Sequence, residues 1–313
     1  MSVKPLAFSQ LKTVPLSQRQ ADAQERDFGA PFRAGGSFAD FLCALPGLGV
    51  SGDLFLLRDA ITTAFRNQQD VILGCGGHVF EAGLSPFLVR LIEQKLITGV
   101  ALTGAAMLQD VEIALTGHTL QGKTNRITQE TGLLINESIV AGAAQNKGIG
   151  YSIGTCLMET DAKHLDHSVL ATACRFGVPI TVHPAIGADM FNLHPLVHGE
   201  SLGAAGMTDF RLLAGMMANA SGGVLLNVAS SVVIPRLFAQ AAEAARNLEY
   251  HIDRVTVGVI EKKATSTSIS GLCDAFDSGG GQTLCLTGAE EVMLPLLFAA
   301  VTDDLAEELD AYG

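Results

Sequence analysis

The segment Val182-His-Pro-Ala-Ile-Gly-Ala-Asp-Met-Phe-Asn-Leu-His-Pro-Leu-Val-His198 gathers three histidines and one aspartate. Neutral imidazole and carboxylate are ligands for zinc, iron or manganese, so His183, Asp189, His194 and His198 form one candidate set for a metal-dependent hydrolase or lyase. Two prolines and a loop-like spacing speak against a preformed metal triad. Hydrogen-bonding or acid–base work by His183 and Asp189 is the favoured reading, and no metal is expected. His78 and Glu81, just after an earlier apolar run, read either as a satisfied polar pair at a turn or as an acid–base pair facing a crevice.

A second pattern lies in the turns that end the apolar runs. Val71-Ile-Leu leads into Gly74-Cys-Gly-Gly-His78, Val100-Ala-Leu into Thr103-Gly-Ala-Ala106, Leu225-Leu into Asn227-Val-Ala-Ser-Ser231, and Leu284-Cys-Leu into Thr287-Gly-Ala-Glu290. Small residues at such turns let backbone amides approach a pyrophosphate, and hydroxyls add donors. Gly76, Gly77, Thr103, Gly104, Ala105, Asn227, Ser230 and Ser231 are therefore the expected cofactor contacts; alone, each cluster reads more readily as a tight strand-to-helix turn, and it is the four together that point to a cofactor. Asp110 and Glu112 fall at the start of the next helix, where a carboxylate complements the helix dipole or binds ribose hydroxyls. Gly117-His-Thr-Leu-Gln-Gly-Lys-Thr124 fits the Walker pattern literally. It comes after a helical stretch rather than a strand, so it is read as a chance match, with nucleotide hydrolysis as the rival class.

Something must position these turns. Apolar runs at Val71–Leu73, Val100–Leu102, Ile180–Val182, Val224–Leu226, Val255–Ile260 and Leu284–Leu286 predict strands buried on both faces. Helical spacing between them, around Phe87–Gln94, Leu133–Gln145, Asp209–Ala220, Pro235–Asn247 and Glu290–Leu309, predicts crossovers. Leu54, Leu57, Ile61 and Phe65 predict a further helix capped by Ser51. The expected fold is α/β, a Rossmann-like doubly wound, mostly parallel sheet. Residues 1–36, polar and proline-bearing, read as an N-terminal arm, disordered or lying on a neighbouring subunit; residues 37–313 read as a single α/β NAD-binding domain. The stretch Glu261–Gly281 shows least regularity and reads as a surface excursion or a site loop.

Composition narrows the partners. A net charge of −12 without a basic stripe disfavours nucleic acid. The six cysteines form no CxxC pair, which argues against zinc or a redox dithiol. The first thirty residues lack a signal-peptide core, and no apolar run is long enough to span a bilayer, so a cytoplasmic protein without membrane contact is expected.

Val100-Ala-Leu-Thr-Gly-Ala-Ala-Met-Leu-Gln-Asp110, Val178-Pro-Ile-Thr181 with Gly187-Ala-Asp-Met190, and Gly223-Val-Leu-Leu-Asn227 together resemble the deoxyhypusine synthase family, more closely its bacterial relatives than the eukaryotic enzyme. The resemblance is diffuse and runs over about residues 50–300. It implies bound NAD, a homotetramer with sites at subunit interfaces and, in the synthase, spermidine oxidation followed by aminobutyl transfer through a lysine imine. By the same resemblance NAD contacts fall near Thr103, Gly104, Ala105 and Asp110, and a polyamine-type carboxylate at Asp189. The chain departs from the pattern where the glycine triplet becomes Asn227-Val-Ala229, where the following histidine falls near Val233, and where the Trp-Gly-Lys segment is missing. Lys262 and Lys263 read as too close to the preceding strand to replace that lysine. The expectation is an NAD-dependent, homo-oligomeric (dimer or tetramer) oxidoreductase or transferase acting on an amine or other small polar substrate, not deoxyhypusine synthesis itself. The remaining rival is a non-catalytic nucleotide-binding protein.

Overall fold

A computed structural model describes residues 4–19, 23–119, 126–263 and 266–310. Lys123 and Thr124 of the Walker-like stretch lie outside the described residues. Each predicted apolar run becomes a strand: β1 Val71–Cys75, β2 Gly99–Thr103, β3 Ile180–His183, β4 Val224–Val228, β5 Thr256–Glu261 and β6 Gln282–Thr287. Every residue of β1 to β5 is buried, as strands covered on both faces require, whereas β6 alternates as an edge strand does. All pairings are parallel, in the order β3-β2-β1-β4-β5-β6.

Thirteen α-helices occur among the described residues. Before β1 come α1 Phe38–Ala44 and α2 Gly49–Arg66; α3 His78–Glu81 and α4 Ser85–Glu93 join β1 to β2. The long β2-to-β3 crossover holds α5 Gly104–Thr116, α6 Gln129–Ala144, α7 Ile149–Glu159 and α8 Val169–Phe176. The later helices are α9 Gly199–Ala218, α10 Val233–Asn247, α11 Ser266–Phe276, α12 Glu290–Asp304 and α13 Ala306–Asp310. Strand alternation sorts the core in two. Val71, Leu73, Val100, Leu102, Leu226 and Leu286 face the layer with α2, α4, α5 and α12, while Ile72, Ala101, Leu225 and Val257 face α9, α10 and α11.

Gly74 shows why the sheet is this tightly covered. A Cβ there would lie 2.3 Å from Ile234 Cγ2 and 2.7 Å from Phe238 Cζ, so α10 packs directly on the β1 backbone. Gly117 ends α5 in the left-handed conformation, which costs glycine nothing.

Two local expectations are corrected. Ser51 does not cap α2: the helix starts at Gly49, and the Ser51 hydroxyl donates back to the carbonyls of Pro46 (2.6 Å) and Leu48 (3.0 Å). The supposedly irregular stretch after Glu261 contains α11, whose Leu272 and Phe276 are buried in the second core layer. In the amino-terminal segment, three 3-10 turns at Phe8–Gln10, Leu16–Gln18 and Glu25–Asp27 bury no residue. No described helix is long and apolar enough to cross a membrane.

Candidate active site at the carboxyl rim of the sheet

β1 and β4 are neighbours, yet the chain leaves β1 through α3 and α4 on one face and leaves β4 through α10 on the other. The rim between them is the topological switch point, where open α/β sheets leave a crevice. Gly76 lets the two turns close in: a Cβ there would lie 2.1 Å from the Ala229 carbonyl oxygen. Ala229 itself holds φ +52°, a left-handed value unusual for alanine. Gly77 packs similarly against Ala105 of the β2 turn.

At that turn the Thr103 hydroxyl accepts from Ala106 N (3.2 Å) and caps α5, leaving Gly104 and the exposed Ala105 at the helix start. A Cβ on Gly104 would collide with Asp189 Oδ2, so that carboxylate stands against the same helix start. Asp189 also accepts from Ala185 N at 2.6 Å; burial raises its pKa, opposed by that bond. Ser230 accepts from Ile234 N (3.2 Å) and opens α10. Asp110 does not reach the rim. It is fully buried and accepts from Ser168 Oγ (2.7 Å), Val169 N (2.7 Å) and Leu170 N (3.1 Å), so it serves the amino end of α8, not that of its own helix.

The densest polar cluster centres on His78. Its Nδ1 lies 3.3 Å from Glu81 Oε2, and Gln109 Nε2 donates to Glu81 Oε1 at 3.2 Å. Its Nε2 lies 2.7 Å from Lys262 Nζ. Lys262 comes directly after β5, and this proximity to the strand, which in the sequence looks disqualifying, is what sets its side chain at the rim. Sequence reasoning also passed over Glu290 and Glu291, which open α12 after the Thr287-Gly-Ala turn; their Oε2 atoms lie 3.6 and 3.8 Å from Lys262 Nζ. Beside them Glu261 accepts from Asn227 Nδ2 (3.1 Å) and Ser231 Oγ (3.3 Å). Burial raises the Glu261 pKa, those two bonds lower it, and the Glu290 charge raises it again.

Acceptors outnumber donors here. Of the six buried side-chain oxygens without a hydrogen-bond partner among the described residues, three are at this rim: Gln109 Oε1, Asn227 Oδ1 and Glu290 Oε2. Both amide orientations result from their carboxylate neighbours, which accept from the NH₂ groups and leave the amide oxygens unpaired.

The other histidines do not join this cluster. His183 is buried, its Nε2 lies 2.9 Å from Thr181 Oγ1, and burial holds its pKa down to about 4, so it is a neutral core histidine. His194 Nδ1 accepts from Leu196 N (3.3 Å), and His198 caps α9 through Ser201. Among the described residues the one group of three or more candidate metal ligands that converges is His78, Glu290 and Glu291, so the set His183, Asp189, His194 and His198 does not form a metal centre.

Away from the rim, Asp209 accepts from Val182 N (2.8 Å) and Gly150 N (3.0 Å), tying α9 to edge strand β3 and to α7; no sequence signal marked it. Burial pushes its pKa up to about 7 and that of Asp110 up to about 6 despite their hydrogen bonds. A carboxyl with a raised folded pKa binds its proton more tightly folded than unfolded. Its contribution therefore favours folding as pH falls from about 7 towards the unfolded carboxylate value, and is lost as pH rises. His183 acts oppositely, losing stability as pH falls from about 6.5 to about 4. Asp209→Asn should keep both accepted bonds and remove about 2 kcal/mol of the wild-type stability change between about pH 5.5 and pH 8. Urea unfolding at the two pH values checks this, and an unchanged pH slope would refute it.

No protein-family model and no curated protein matches the chain. Solved structures do. AgrE in its ternary complex with ornithine and NAD+ superposes with a TM-score of 0.54 at 14% identity, over 82% of this chain and 34% of AgrE. A candidate LOR/SDH protein from Methanococcus maripaludis S2 gives 0.50 at 13%, over 92% and 75% of the two chains. A candidate deoxyhypusine synthase from Entamoeba histolytica gives 0.51 at 12%, over 87% and 95%. The chain spans about a third of the length of AgrE and of the cyanobacterial arginine dihydrolase ArgZ. At these identities the likeness is one of fold, and the chain has a deoxyhypusine synthase-like, Rossmann-like α/β fold.

Proposed function

We propose that the chain is an NAD-dependent enzyme that oxidises an amine, or transfers a group from one, and that it is not a deoxyhypusine synthase. The observation that carries this reading is the imbalance at the rim: four glutamates, one of them with an oxygen that accepts no hydrogen bond, and two amide oxygens without donors share the rim with His78 and Lys262, so the partner that suits them bears N–H donors and positive charge. An amine is such a partner, and AgrE, which shares the fold, is described with ornithine and NAD+.

In this reading the dinucleotide would lie along the turns at Gly76–Gly77 and Thr103–Ala105, where Gly104 and the exposed Ala105 open the amino end of α5, with Asn227, whose buried Oδ1 lacks a donor, and Ser231 beside them. NAD, when bound, supplies a hydride acceptor. His78 takes the proton from the substrate nitrogen at Nε2, while Glu81 holds Nδ1–H and stabilises the imidazolium that forms. Asp189, at the start of α5, orients the substrate. In this reading residues 37–313 are a single NAD-binding domain, residues 1–36 are an arm, and the molecule is a homo-oligomer.

Calorimetric titration with NAD, followed by absorbance at 340 nm during incubation with primary amines, tests this reading. Saturable binding with amine-dependent NADH formation is expected; absence of NAD binding at millimolar concentration would overturn it.

A further inference from the structure

Lys262 is itself a primary alkylammonium, held inside the group of acceptors proposed to read a substrate amine. We propose that His78, Glu290 and Glu291 form a seat for an external primary alkylammonium, and that Lys262 is a tethered placeholder that leaves as the ligand enters. The inference rests on the amine reading of the site and adds how the free protein keeps that seat filled.

Convergence is the first reason. One ligand atom from each of the three residues lies within 4.8 Å of the other two. Some point therefore lies within about 2.8 Å of all three, the length of a charge-assisted N–H···O bond.

The second reason is that Lys262 fills the seat badly. Its Nζ reaches His78 Nε2 at 2.7 Å but stops 3.6 Å from Glu290 Oε2 and 3.8 Å from Glu291 Oε2. Glu290 Oε2 has no hydrogen-bond partner although the Glu290 side chain is only 5% exposed. Its charge contacts, Lys262 Nζ at 3.6 Å and His78 Nε2 at 3.8 Å, are both longer than a hydrogen bond, and a group built only to hold this lysine would close on it. The tether explains the shortfall: Lys262 N donates to Glu290 Oε1 (3.3 Å), so its backbone is pinned beside the seat it fills. An untethered ammonium moves freely to the centre. The Lys262 side chain, half exposed, can swing into solvent without disturbing that backbone bond.

Lys262→Met removes the placeholder while keeping the stem. Calorimetry with n-butylammonium, without NAD, should show at least about tenfold tighter binding to this variant than to wild type. N,N,N-trimethylbutylammonium, which lacks N–H donors, should not bind, and adding Glu290→Gln should cancel the gain. Lys262→Gln serves as the second variant should the first fail to fold. Equal affinity in wild type and variants, equal binding of the quaternary ion, or preference for manganese over the amine would overturn the inference. NAD binding in the same samples reads out separately: its failure defeats the cofactor reading, and failure of alkylammonium binding defeats the seat.

Discussion

His78→Ala should lower turnover by about 10²–10⁴-fold, the usual worth of a positioned general base, and leave NAD affinity within a factor of about two. The imidazole has carboxylate support on one nitrogen and an amine on the other, so its loss removes the proton acceptor and one wall of the amine seat together. Glu81→Gln separates the two: it keeps a hydrogen-bonding partner for Nδ1 but withdraws the charge that stabilises imidazolium, so turnover should fall less steeply, with a changed pH profile. Parallel loss of NAD affinity and turnover in His78→Ala would move that residue into the cofactor site.

Asp110→Ala should cost about 2–5 kcal/mol of stability, measured by urea unfolding near pH 8. The mechanism is specific. Three donors, the Ser168 hydroxyl and the amides of Val169 and Leu170, lose their shared acceptor in a fully buried place. The amino end of α8 would keep the Ser168 cap on Ala171 N but lose the acceptor that α5 supplies. Asp110→Asn keeps one accepting oxygen and should recover roughly half the loss. A cost below about 0.5 kcal/mol for the alanine variant would show that water replaces the carboxylate.

The six strands were legible because strands buried on both faces are written as short apolar runs, and four of the runs end in a glycine, hydroxyl or asparagine turn. Helices with a long apolar stripe, such as α10, were equally visible. Less so were α7, an eleven-residue run interrupted by two glycines, α8, which is only eight residues long, and α11, whose Ser/Thr-rich start resembles a loop. The candidate site was half visible. His78 and Glu81 stand out because their types and spacing suggest acid–base chemistry. Lys262, Glu261 and Glu290 reach the same place from β5 and α12, nearly two hundred residues away, and only the strand order shows that β5 pairs with β4, the neighbour of β1. The histidine-rich segment misled for the converse reason: proximity in sequence suggested a shared centre, whereas His183 faces Thr181, His198 caps α9 and His194 bonds locally. Asp110 looked like a first-turn carboxylate, but sequence spacing cannot reveal which helix end a side chain reaches.

The position of β1 at the centre of the sheet has a consequence for synthesis. Its first neighbour, β2, emerges from the ribosome soon afterwards, but Val71 waits for Val224, about 150 residues later, before its other edge is paired. At 5–20 residues per second, the nascent chain carries an open, apolar strand edge for about 8–30 s. That interval is long enough for self-association between chains on neighbouring ribosomes, and this makes the half-made sheet a natural client for chaperones that shield hydrophobic edges.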